Sequence, residues 1–185
     1  MKAFFATTAL LGLFGLVSAA PAPVPQIPAS GNVVKPSVRS QYAVSTGAIS
    51  YNTGVGKIFK SGRSTDITTL LTFDFPAAAA GKTCTFHFYA ESTVTVTGSG
   101  QFQLYTSLAP PTGSTTTWPP GNRRNNHVGT LRVVKPGEAT WVDGNPVTAK
   151  SFPCPTGTVG YELVGVYDND DIAWSGSGSG TYFTY

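Results

Sequence analysis

Residues 66–76 read DITTLLTFDFP. Ile67, Thr69, Leu71, Phe73 and Phe75 fall on one parity; Asp66, Thr68, Leu70, Thr72 and Asp74 fall on the other. A period of two sends each set to one face of an extended strand. Thr, Ile and Phe also suit a pleated, half-buried surface. Pro76 has no N–H to give to a ladder and ends the run. The stretch predicts a central strand with its odd face on a core.

The chain on either side repeats this pattern in shorter pieces. Strands are predicted at residues 42–51, 56–60, 82–91, 93–97, 101–106, 128–135, 139–142, 147–152, 159–167, 172–174 and 181–185. Turn residues separate them, and Asn52-Thr53-Gly54 reads as a hairpin turn. In 82–91, Cys84, Phe86, Phe88 and Ala90 share one face. Residues 159–167 are apolar at both parities, as in a strand covered on both sides. Residues 107–126 are rich in Pro, Gly, Ser and Asn and predict one long loop. No window of a dozen residues beyond the first twenty shows a 3.6-residue period. The predicted fold is an all-β, antiparallel β-sandwich, jelly-roll-like, with a lone barrel as the alternative.

Residues 1–19 have the three parts of a secretory signal: Lys2, an uncharged apolar run over 4–17, and the small residues Val17-Ser18-Ala19. Such an apolar run is shorter than the ~20 residues needed to span a bilayer. Residues 20–40 read as a Pro-rich, largely unstructured linker, and 41–185 as the folded domain. The expected location is outside the cell or in the cell wall, with no membrane contact after cleavage. The net charge of +3 falls to +2 without Lys2, and no basic stripe points to nucleic acid. In an oxidising compartment Cys84 and Cys154 are expected to be joined across 70 residues, with two buried free thiols as the alternative.

No residue is assigned a catalytic role. His87 and His127 are the only histidines, and no Gly-x-Ser-x-Gly elbow accompanies them. His87 reads as a surface histidine, His127 as a turn cap at a loop exit. Glu162 stands out as an acid inside an apolar strand; it is expected to be half exposed or paired with Arg132 or a lysine. Paired carboxylates would give the chain glycosidase chemistry, the enzymatic alternative. Asp168, Asp170 and Asp171 group oxygen ligands at a turn and are the candidate calcium site; no other cofactor is expected. Trp118 with Tyr105, Asn122, Arg123 and Arg124 is the candidate glycan platform, because aromatic faces stack on sugar rings while Arg and Asn bond hydroxyls. Trp141 and Trp174 lie in strands and are assigned to the core.

STDITTLLTFDFP, GKTCTFHF, TSLAP with a following WPPGN turn, NNHVGTL, KPGEATWVDG, SFPCP, GYELVGV and DNDDIAW, in that order, resemble the fungal family named ubiquitin-3-binding protein But-two, C-terminal domain. The resemblance runs over roughly residues 48–185. It implies a compact β-sandwich and, through the family name, a protein partner: the catalytic subunit of an activating enzyme for a ubiquitin-like modifier. That enzyme works in the cytosol and nucleus, whereas residues 1–19 direct this chain outward. The expected function is therefore a secreted, non-enzymatic binding module for cell-wall polysaccharide or a host surface.

Overall fold

A computed structural model describes residues 26–29, 31–112, 123–142, 150–176 and 178–185. Their strands are β1 (Val33–Val34), β2 (Val38–Ala43), β3 (Ala48–Ser50), β4 (Val55–Lys60), β5 (Ile67–Phe75), β6 (Thr83–Ala90), β7 (Thr95–Gly98), β8 (Gln101–Ser107), β9 (Arg124–Arg132), β10 (Gly137–Glu138), β11 (Thr140–Trp141), β12 (Ser151–Pro153), β13 (Gly157–Gly165), β14 (Asp170–Ser175) and β15 (Gly180–Thr184). One 3-10 turn, Ala77–Ala79, follows Pro76. Among the described residues no helix is long and apolar enough to cross a membrane.

All strand pairs are antiparallel, and the strands form two sheets packed as a curled sandwich. The larger sheet runs β11-β9-β8-β13-β5-β4-β14-β7, with β2 also on β5 and β3 on β2. The smaller runs β1-β15-β6, with β10 and β12 sharing the far edge of β6. β5 is central as its alternation predicts: Leu71, Phe73 and Phe75 point into the core from a strand held by β13 on one side and β2 on the other.

The core between the sheets is aromatic. Phe183 of β15 lies 4.9 Å from Phe73 and 5.2 Å from each of Phe75, Phe86 and Tyr161, mostly edge to face. Phe88 meets Phe102 at 5.2 Å and Trp174 at 5.0 Å. Edge-to-face rings align each ring's positive rim with its neighbour's negative face, about 1 kcal/mol per pair beyond burial. Cys84 and Cys154 are disulfide-bonded with their Cα atoms 4.8 Å apart, tying β6 to the segment after β12. Trp174 is buried and Trp141 packs against the same core.

The structure differs from the sequence reading at four places. Paired backbone begins at Val33, ahead of residue 41: Val33 and Val34 pair with β15, and Val38–Ala43 pair with β5. The predicted strand over 42–51 is instead a hairpin of β2 and β3, turned at Gly47, whose φ of 72° suits glycine. Asn52-Thr53-Gly54 joins no hairpin, because β3 pairs with β2 while β4 pairs with β14 and touches β5 only at Phe59. Residues 124–126 also belong to β9 rather than to the loop.

Candidate functional site

The even face of β5 is the outer face of the larger sheet, and its partners there are polar. Glu162 on β13 is fully buried. Its Oε1 accepts from Thr68 Oγ1 at 2.7 Å and from Arg124 Nη2 at 2.8 Å, and its Oε2 accepts from Arg124 Nε at 2.9 Å. A buried carboxylate needs a counter-charge and bonded oxygens, and this side-on fork supplies both. Hydrogen bonding to Glu162 holds the Arg124 guanidinium above the usual arginine range, against the opposing effect of burial. The partner is thus Arg124, neither Arg132 nor a lysine, and Glu162 is not half exposed.

The other side of Arg124 faces an aromatic pair. Its guanidinium carbon sits 5.0 Å from the Tyr105 ring centre. Tyr105 stacks on His127 at 4.8 Å and 27°, and its hydroxyl donates to Gln103 Oε1 at 3.0 Å. His127 therefore buttresses a ring instead of capping a turn.

Local backbone irregularity creates this grouping. Arg124 and His127 are three residues apart, so a regular strand would put them on opposite faces. Along β8 and β9, Leu104 pairs with Gly129, Tyr105 with His127, and Ser107 with Arg124. β9 thus carries an extra residue in each interval, and such bulges re-aim side chains. The first turns Val128 against the core and leaves His127 on Tyr105. The second returns Arg124 to the side of His127, within reach of Glu162.

The start of the long loop lies over the same face. Thr72 Oγ1 donates to the Pro111 carbonyl at 2.6 Å. A Cβ on Gly160 would stand 2.8 Å from Pro110 Cβ, so only glycine lets the loop lie this close. Arg123 is exposed, and its carbonyl accepts from the Leu108 N–H at 2.9 Å. Trp118 and Asn122 lie outside the described residues. Of the expected platform, the structure brings Tyr105 and Arg124 together and sets Arg123 beside them.

The sequence reading passed over a recess next to Arg124. It measures about 120 Å³ and is lined by Lys60, Asp66, Thr68 and Arg124 over apolar groups that include Phe59 and Val164. Its residues come from four strands, β4, β5, β9 and β13, and the segment before β5, and no local motif joins them.

The acidic turn does not converge. Asp170 Oδ1 accepts from Ser99 N at 2.8 Å and Ser99 Oγ at 2.6 Å; Asp171 pairs with Lys57 at 3.5 Å; Asp168 is exposed. Among the described residues no group of three or more His, Cys, Asp or Glu side chains is arranged to hold a metal ion. His87 is more than a surface histidine. Nε2 is 2.9 Å from Thr184 Oγ1, Nδ1 is 3.8 Å from Glu138 Oε2, and the ring stacks on Tyr182 at 4.7 Å. Tyr182 in turn donates to Glu138, and burial first, then this bond, pushes the phenol above its ordinary range.

A family model described as Ubiquitin 3 binding protein But2 C-terminal domain matches residues 50–178. The chain belongs to this family. The But2 C-terminal domain match contains β4 through β14, hence the disulfide, Tyr105, Arg124 and Glu162, while β1, β2 and β15 fall outside it. No curated protein matches the chain.

Proposed function

We propose that this chain is an exported, non-enzymatic binding domain whose ligand face surrounds Tyr105 and Arg124 on the larger sheet, and that its ligand is a cell-wall or cell-surface carbohydrate. The observation that carries the reading is the Arg124–Glu162 fork. It fixes a cation over the Tyr105 ring on the outer face, so that N–H donors and an aromatic side chain adjoin, a combination that suits the hydroxyls and C–H groups of a sugar. Export is supported by the residue pattern over 1–19 and by the disulfide, which persists in oxidising compartments. Both Glu162 oxygens are engaged, which favours a positioning role over proton transfer to a substrate.

The family description favours a second reading, in which the same face takes a protein partner. Pull-down of the purified protein on insoluble chitin, β-glucan and pectin separates the two. Retention on one polysaccharide is expected, weakened roughly three- to tenfold by Tyr105→Ala, the size of one aromatic contact. No retention on any of them, or equal retention of Tyr105→Ala, would refute the carbohydrate reading.

A further inference from the structure

Among the described residues the second edge of Arg124 bonds no side chain. A guanidinium carries five N–H donors in a rigid fork. Nε and Nη2 hold Glu162 side-on, each with one N–H. The end-on edge, formed by Nη1 and the remaining N–H of Nη2, has no part in that fork. Arg124 lines the 120 Å³ recess, and its side chain is 37 % exposed, so water and ligands reach it.

Lys60 lines the same recess. Among the described residues it has no carboxylate within ion-pair distance. An ammonium has three donors and no acceptor. The recess thus presents two cationic donor groups, one held rigid by a buried acid. On the same wall Asp66 offers only acceptors. A bare anion would meet the two cations and be repelled by Asp66. A neutral sugar's hydroxyls would donate to Asp66 and accept from Lys60 and Arg124, but would bring no negative charge to Lys60, which has no carboxylate within ion-pair distance among the described residues. A sugar ring bearing both a carboxylate and hydroxyls matches every group present, and the apolar floor of Phe59 and Val164 suits its C–H face. The recess has room for a carboxylate group, being several water volumes in size.

We propose that the Lys60–Asp66–Arg124 recess is a subsite for the carboxylate-bearing ring of an acidic polysaccharide, a hexuronate unit, with Glu162 as the positioning residue that aims Arg124. This rests on the carbohydrate reading of the Tyr105 face and names the class of sugar it takes. Arg124 belongs to both places, so one chain can touch Tyr105 and seat its acid group in the recess.

Isothermal titration calorimetry with an oligogalacturonide and with its methyl ester, at low salt, tests both layers. The free acid is expected to bind about tenfold tighter than the ester, the scale of one charge-assisted bond. That preference shrinks with added salt, which screens a partly exposed pair. Lys60→Gln is expected to remove most of the preference, weakening the free acid far more than the ester; Tyr105→Ala weakens both forms alike. Equal binding of acid and ester, or a preference untouched by Lys60→Gln, overturns the acidic subsite and leaves the Tyr105 face standing. Failure of both forms to bind overturns both. Sodium acetate competing as well as the oligogalacturonide on a molar basis would mean an ion site without sugar recognition and would also overturn the proposal.

Discussion

Replacing Arg124 with methionine would strand the carboxylate of Glu162. That side chain is wholly buried, and its remaining partner is the single hydroxyl of Thr68. Removing one member of a buried ion pair costs about 3–5 kcal/mol, mostly through the charge left behind. Arg124 is 37 % exposed at the side chain, so water already screens part of the pair and the low end applies, about 3 kcal/mol. For a chain of this length that lowers Tm by roughly 6–12 °C. The matching control is Arg124→Met with Glu162→Gln, which removes the charge and keeps an acceptor for Thr68. It is expected to recover most of the loss, to within about 1 kcal/mol of wild type, because a buried pair stabilises little against a neutral replacement. Urea denaturation followed by tryptophan fluorescence measures all three proteins. A single variant as stable as wild type, or a double variant as unstable as the single, would refute the view that Arg124 is held there by the buried acid.

Two further predictions concern the rest of the fold. Cys84→Ser with Cys154→Ser opens a loop of 70 residues and is expected to lower stability by about 4 kcal/mol on the loop-entropy estimate; alkylation of both thiols without reductant, read by mass spectrometry, would contradict it. Burial lowers the His87 imidazole below its ordinary 6.5, while Glu138 pulls it the other way. The folded chain then binds this proton less readily than the unfolded one, so stability is full above about pH 6.5 and is lost as pH falls through the lower, folded value. NMR titration of His87 should show the depressed midpoint, Glu138→Gln should depress it further, and a midpoint above 6.5 would show that the carboxylate outweighs burial.

What alternation can reveal was legible. β5 was plain because its odd positions alternate with its even ones, three of them, Leu71, Phe73 and Phe75, reach the core, and Pro76 closes the strand. Cys84 shared a face with Phe86 and Phe88, and the disulfide lies on that face. The hairpin at Gly47 was hidden because residues 42–51 keep strand-like composition through the turn, and only the pairing of Ala43 with Ala48 shows the reversal. Glu162 announced itself as an acid among apolar neighbours. Its partner did not: Arg124 lies 38 residues away, at the end of a stretch rich in turn formers, and reaches β13 only across β8. Tyr105 and Arg124 were named together from residue type alone. The role of His127 was not, since it depends on where the register slips, and period-two reading assumes that it never does. Lys60 and Asp66 meet where β4 pairs with β5 at Phe59 and Ile67, a pairing that no local pattern announces.

The doubled slip in β9 makes one strand behave as two with independent phase. From Gly129 onward its side chains obey the core; before Val128 they answer only to what lies outside. A deletion at Asn125 or Asn126 is expected to rotate Arg124 away from Glu162 without moving Leu131. Such an arrangement lets selection rewrite what the domain recognises while the hydrophobic interior stays as it is.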